Sequence, residues 1–227
     1  MNSYLQSPAR DLEASLAFYE KLQFEELRRE GPAVVADREV AVLLNPENFA
    51  RPGIVLHRSS WDTEVVEIEK TRRVHPQPDG HLVADPSGVW LYLKTSESPV
   101  PTASGQASIL GTYAGLCLET TDIGRSLNLY RLLGFETDKG DADQGWVVCK
   151  NSDGMSISLM NPGCCPHLFF NPSLTYFNGG GNLPIIAAIQ EAGIPIAEEI
   201  THFNEEGVVD NVILRDPGGI GMFVFND

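Results

Sequence analysis

The side chains that could do chemistry in this chain are few and scattered. His57 closes the apolar run Gly53-Ile-Val-Leu-His57, and Glu119 closes Tyr113-Ala-Gly-Leu-Cys-Leu-Glu119. An imidazole on a strand could act as an acid, a base or a ligand contact; it also serves commonly as a hydrogen-bonded structural residue. A carboxylate at a strand end could pair with a cationic ligand, or simply lie in solvent. Cys164-Cys165-Pro166-His167 has metal-ligand residue types. Adjacent cysteines chelate one zinc poorly, and no second cluster completes four ligands, so a surface loop with reduced thiols is expected. His75 and His81 flank a proline-containing stretch and read as surface. Cys117 has no evident base beside it and reads as a small apolar lining residue.

Two phrases, each repeated, define what must position these groups. The chain ends on Asn211-Val-Ile-Leu-Arg-Asp-Pro-Gly-Gly-Ile-Gly-Met-Phe-Val-Phe225, a strand, a turn and a strand. His81 to Lys94 repeats it around Asp85-Pro86-Ser87-Gly88. Proline fixes φ and glycine accepts positive φ, which gives both turns a mechanism. Asp11 to Tyr19, with Leu22 and Phe24-Glu25, returns 111 residues later as Asp122 to Tyr130, with Leu133 and Phe135-Glu136. Two phrases repeated in the same order mean a duplicated domain. The expected boundaries are 1–97 for the first domain, 98–111 for a linker rich in Ser, Pro, Gly and Ala, and 112–227 for the second.

With 31 acidic against 16 basic residues the formal charge is −15, which argues against nucleic acid and anionic membrane surfaces and permits a cationic ligand. Acidity also simply keeps a protein soluble. No apolar run approaches membrane-spanning length, and the first residues lack a basic region followed by an apolar stretch. Four cysteines in 227 residues are expected to be reduced, in a cytoplasmic protein.

Helices are expected after Asp11, after Ser59 or Ser60 (to about Arg72), after Asp122, and over Leu183 to Ala192. Leu12, Leu16, Tyr19 and Leu22 share one helical face, as do Ile123, Leu127, Tyr130 and Leu133. Short strands alternate with these helices, and His75 to Gly80 is expected to be a loop. The result is an α+β chain of four βαβββ modules.

Asp122, Ser126-Leu127, Tyr130, Leu133-Gly-Phe-Glu136 and Asp216-Pro-Gly-Gly219 resemble the vicinal oxygen chelate superfamily, which includes glyoxalases, bleomycin-resistance proteins and extradiol dioxygenases. The resemblance covers nearly the whole chain outside the linker. It implies two glyoxalase/bleomycin-resistance-like domains, each a sheet curved around a cup. Strand parity then sorts the side chains. One face is apolar and should pack on helices. The other lines the cups: Tyr4, Gln6, Leu43, Val55, His57, Trp90 and Tyr92 in the first, and Gly115, Cys117, Glu119, Ser156, Ser158, Met160, Ser173, Thr175, Phe177, Phe223 and Phe225 in the second. The first set is bulky enough to fill its cup. The second mixes small polar and aromatic residues, as an open ligand pocket does; close packing of the domains would also explain small residues there.

Metal-using relatives hold a divalent ion with His and Glu. The resemblance carries those positions to Tyr4, Leu43, Gly53 and Tyr92, and to Gly115, Ser158, Ser173 and Phe223, none a usual ligand. No metal and no cofactor is therefore expected. The leading expectation is a monomeric or homodimeric protein that binds a small, partly aromatic or cationic molecule. Cys117, Ser156, Ser158, Ser173, Thr175, Phe177, Phe223, Tyr4 and Tyr92 would be its contacts. The alternatives are a metal-dependent or metal-independent lyase, isomerase or dioxygenase-type enzyme of the same superfamily, with His57 or Glu119 as base for lyase or isomerase chemistry, and a structural or self-association module.

Overall fold

The computed structural model describes residues 2–96 and 105–226, so the first half of the expected linker lies outside the described residues. Four modules of one plan follow one another. The first comprises β1 (Ser3–Pro8), α1 (Leu12–Lys21), β2 (Glu25–Arg28), β3 (Ala33–Ala36) and β4 (Ala41–Asn45). The second comprises β5 (Gly53–His57), α2 (Asp62–Glu69), β6 (Val74–Gln77), β7 (Gly80–Ala84) and β8 (Trp90–Lys94). The third comprises β9 (Tyr113–Glu119), α3 (Ile123–Leu132), β10 (Phe135–Asp141), β11 (Trp146–Asn151) and β12 (Ser156–Met160). The fourth comprises β13 (Ser173–Phe177), α4 (Asn182–Glu191), β14 (Ile196–Ile200), β15 (Asn211–Arg215) and β16 (Gly221–Phe225).

Modules pair into two eight-stranded sheets of identical order, β2-β3-β4-β1-β5-β8-β7-β6 and β10-β11-β12-β9-β13-β16-β15-β14. The joint in each sheet is antiparallel, β1 with β5 and β9 with β13. Each first strand also runs parallel to its module's last, as β1 does to β4 and β13 to β16. The fold is therefore the α+β architecture of four βαβββ modules expected from the repeats.

Local chemistry sets the ends. The Asp11 carboxylate accepts from Ala14 N at 3.0 Å and Asp122 from Arg125 N at 2.9 Å, the same N-cap twice. The second helix differs from expectation. It starts at Asp62 with Trp61 as N-cap and no side-chain cap, and it ends at Glu69. Ser60 Oγ only accepts from Asp62 N, at 3.1 Å. In the Asp-Pro hairpins, Asp85 Oδ1 accepts from Ser87 N and Val89 N, and Asp216 Oδ1 accepts from Ile220 N. Gly88 and Gly219 follow with φ of 88° and 97°, where a side chain would be strained.

A single apolar core takes the helix-facing sides of both sheets, from Leu5, Val42 and Ile54 to Leu116, Ile157 and Val224. The helices lie within this core, and the cups turn away from it. The stretch after the undescribed residues joins the core too: Leu110 is fully buried and Ile109 N donates to Leu22 O at 3.1 Å. No described helix is long and apolar enough to cross a membrane.

Candidate functional site

The first cup is filled. Tyr4, Val34, Ala36, Ala41, Leu43 and Val55 form their own cluster on its face, with Leu27 and Tyr92 packed against it. A Cβ on Gly53 would run into Trp90 O and the Tyr92 ring, so this glycine admits the tyrosine. His57 stands edge-on to Tyr4, with ring centroids 5.7 Å apart. Its Nδ1 lies 3.1 Å from Ser96 O, and its Nε2 is buried without a partner. Burial is the main reason its pKa falls below the ordinary 6.5. Lys94 and Arg28 push the same way, against the Ser96 carbonyl and Asp79. The lowering favours the neutral ring, and among the described residues no carboxylate is hydrogen-bonded to it.

The second cup is built differently. Register across β9, β13 and β16 places Gly115, Thr175 and Phe223 in one row and Cys117, Ser173 and Gly221 in the next. Ser158 sits opposite Cys117 from β12. Thr175, Ser173, Cys117 and Phe223 are all buried, and among the described residues the Thr175 hydroxyl has no nitrogen or oxygen partner, only the Cys117 sulfur beside it. Burial raises the Cys117 thiol pKa, and the adjacent Thr175 and Ser158 hydroxyls only partly offset this. Phe177 and Phe225 form the outermost row; Phe177 is 41% exposed at the rim.

Residues 161–172 cover this cup, which the sequence did not reveal. Phe170 lies where a Cβ on Gly221 would be, and Phe169 meets the Phe223 ring at 5.1 Å. His167 sets its edge against Phe223 and Phe225 at 5.3 and 5.2 Å, and Cys165 Sγ lies 3.7 Å from Met160 Sδ. The segment expected to be a plain surface loop is thus the lid of the cup. The run Leu168-Phe169-Phe170, apolar inside a Pro- and Asn-flanked loop, is the one signal that could have found it.

Glu119 fastens the lid. Its Oε1 accepts from Gly163 N at 3.0 Å, its own N–H donates to Asn171 Oδ1 at 2.8 Å, and its carbonyl accepts from Asn171 Nδ2 at 2.9 Å. Glu198 adds a tie to Leu168 N at 2.7 Å. The Glu119 carboxylate is therefore already engaged, and His57 belongs to the other sheet. The two do not meet as an acid/base pair.

The residues do not fit a divalent metal of the kind that histidines and carboxylates hold. The cup rows offer Gly, Thr, Phe, Cys, Ser and Gly, and the one thiol among them is pushed away from ionisation. Among the described residues, no three His, Cys, Asp or Glu side chains come together as a metal site. Ser156 lines a separate cleft of about 360 Å³ between the domains, with Arg38, Glu39, Tyr113, Lys150 and Asp153.

No family model matches the chain, and no curated protein matches it by sequence. Solved structures do match. BphC, a halotolerant catechol dioxygenase, aligns with TM-score 0.52 and 11% identity over 98% of this chain and 85% of its own. A variant of homoprotocatechuate 2,3-dioxygenase from Brevibacterium fuscum gives 0.56 and 14% over 100% and 71%. The 2,2',3-trihydroxybiphenyl 1,2-dioxygenase of Sphingomonas wittichii RW1 gives 0.53 and 16% over 98% and 89%. At such identities the likeness concerns fold. The chain has the tandem fold of these extradiol dioxygenases.

Proposed function

We infer that this protein binds a small aromatic molecule in the second cup, without a metal of the histidine–carboxylate kind. The observation that carries this reading is the buried Thr175 hydroxyl, which has no nitrogen or oxygen partner among the described residues and only the weakly bonding Cys117 sulfur beside it, in a cup of Cys117, Ser158, Ser173 and Phe223. A buried hydroxyl without a partner costs stability, and a ligand's polar group offsets that cost when bound. Phe223 supplies a stacking face, and Phe169, Phe170 and His167 occupy the volume that a ring would take. Ligand entry therefore swings residues 161–172 outward on the Glu119 and Glu198 ties. The solved relatives are named for small aromatic substrates, which supports the same ligand class. Cation–π attraction to the rim phenylalanines and the acidic balance favour aromatic amines over neutral rings.

The test is a thermal-shift and calorimetric comparison of tryptamine and indole on wild-type and Thr175→Val protein, with metal content measured in parallel. Saturable binding that Thr175→Val abolishes, with less than about a tenth of an equivalent of transition metal, supports the reading. Absence of binding by either probe, or near one equivalent of iron, manganese, nickel or zinc, overturns it.

A further inference from the structure

Helices α2 and α3 come from different domains, and a cleft of about 270 Å³ opens between them. Arg72, just beyond α2, and Arg125, on α3, both line it. Ile68 and Leu129 form its apolar floor, and Leu132 stands at its edge, 42% exposed. The one acid in the lining, Glu67, is already paired with Lys70 at 2.5 Å. Neither arginine has a carboxylate within ion-pair distance among the described residues. Arg72 Nη1 reaches only the Ala84 carbonyl, at 3.1 Å. Asp85 lies near Arg72, but its Oδ1 serves the Ser87 and Val89 amides and its Oδ2 the Tyr130 hydroxyl.

The two guanidiniums share one cleft. Burial, and then the charge of Arg125, lowers the Arg72 pKa. Holding like charges together in a chain of 31 acids and 16 bases, without giving either an acid, is unfavourable unless something anionic joins them.

The fold itself does not call for these arginines, and the internal repeat shows it. Arg125 donates its amide to the capping Asp122, as Ala14 does to Asp11. Arg72 lies two residues before Val74, which pairs with Val83; Ile194 lies two residues before Ile196, which pairs with Leu214. The equivalent positions thus hold Ala14 and Ile194, and the same architecture forms there.

We propose that the α2–α3 cleft binds a small amphiphilic anion, its phosphate or carboxylate held between Arg72 and Arg125 and its apolar part laid on Leu129 and Leu132. Guanidinium forks match both head groups in geometry, and Asn128 adds a neutral donor at the cleft wall. This site is separate from the second cup and stands or falls independently of it.

The experiment is titration calorimetry on the full chain at low ionic strength, with octyl phosphate, octanoate, inorganic phosphate and octylammonium as probes. Saturable one-to-one binding of octyl phosphate or octanoate is expected, weaker for inorganic phosphate and weaker with added salt. Arg125→Ala should reduce it at least about tenfold, because the exposed guanidinium has no other partner among the described residues to replace. Arg72→Gln should do the same; since Arg72 also holds the Ala84 carbonyl, its fold is to be checked by circular dichroism. Octyl phosphate against octanoate decides the head group. Binding that Arg125→Ala and Arg125→Glu leave intact, equal binding of octylammonium, loss of binding in Thr175→Val, or no saturable binding at all would overturn the proposal.

Discussion

The Tyr19 hydroxyl donates to Asp216 Oδ2 at 3.0 Å, across 197 residues of chain. Tyr130 does the same to Asp85 Oδ2, also at 3.0 Å. The first helix of each domain thereby holds the closing hairpin of the other. Ser7 adds a second donor to Asp216, at 2.5 Å. All these groups are buried, so Tyr19→Phe and Tyr130→Phe should each cost about 1–2 kcal/mol in urea unfolding. Tyr130→Phe should be the more damaging, because the outer oxygen of Asp85 has no counterpart to Ser7. Equal and negligible costs would mean that the hydroxyls only fill space.

The same aspartates give stability an unusual pH dependence. Burial is the main cause that raises both above the ordinary carboxylate value of 3.8, against several hydrogen bonds that lower them. The folded state then binds protons more tightly than the unfolded one. Their contribution to stability is full below 3.8 and is lost as pH rises through the raised folded values. His57 acts in the other sense: its lowered pKa removes stability as pH falls below 6.5. Asp216→Asn should flatten the acid-side decline in stability with rising pH, and His57→Gln should flatten the limb just below neutrality. Chemical denaturation between pH 4 and 8 measures both, and an unchanged profile in each variant would contradict the assignment.

Thiol labelling should report the lid. Cys164 is exposed, whereas burial pushes the Cys165 thiol up to about 11 and Cys149 up to about 12. At pH 8, one thiol should react quickly and three slowly. Glu119→Gln weakens the tie to Gly163 and should speed labelling of Cys165 and Cys117 several-fold while leaving Cys149 unchanged. Mass spectrometry of the labelled peptides separates the four positions.

Packing at Gly221 should also govern the lid. A Cβ there meets the Phe170 ring, so Gly221→Ala should destabilise by about 1–3 kcal/mol and accelerate labelling of Cys117. Phe170→Ala in the same chain should recover part of that loss. Additive costs would show that the two residues do not touch in solution.

Much of this fold was readable in the residues, because the sheet interiors alternate cleanly. The cup residues Tyr4 and Val55 and the core residues Leu5 and Ile54 fall where the alternation along their strands places them. The strands β2, β6, β10 and β14 were not located, and each is a sheet edge. Edges face water on a long side and carry charge, as Glu25-Glu26-Leu27-Arg28 does, so the period-2 signal is lost. His75 and Pro76 lie in the β6 edge strand rather than in the expected loop, since an edge tolerates a proline. Bulges at Glu26/Arg28, Thr137/Lys139 and Ile196/Glu198 blur the pattern further.

The candidate site was legible in part. Parity identified Cys117, Ser173, Thr175 and Phe223 as cup residues, and strand pairing puts them side by side. Glu119 was visible as a rim carboxylate, but its task of tying down Gly163 and Asn171 depends on a loop with no periodicity. Nothing local in Leu168-Phe169-Phe170 says which surface those rings will find. That is decided by Gly221 and Phe223, about fifty residues downstream.

The common core beneath both sheets makes the two halves depend on each other. Cut at the linker, each half would expose the apolar sides of its helices and would need a second copy to cover them. The present chain is in that sense a dimer made permanent by a tether, its assembly no longer dependent on concentration. Two halves carried on one chain need not be identical. The first cup could close on Tyr4 and Tyr92 as a mere buttress while the second kept its glycines, its hydroxyls and its lid.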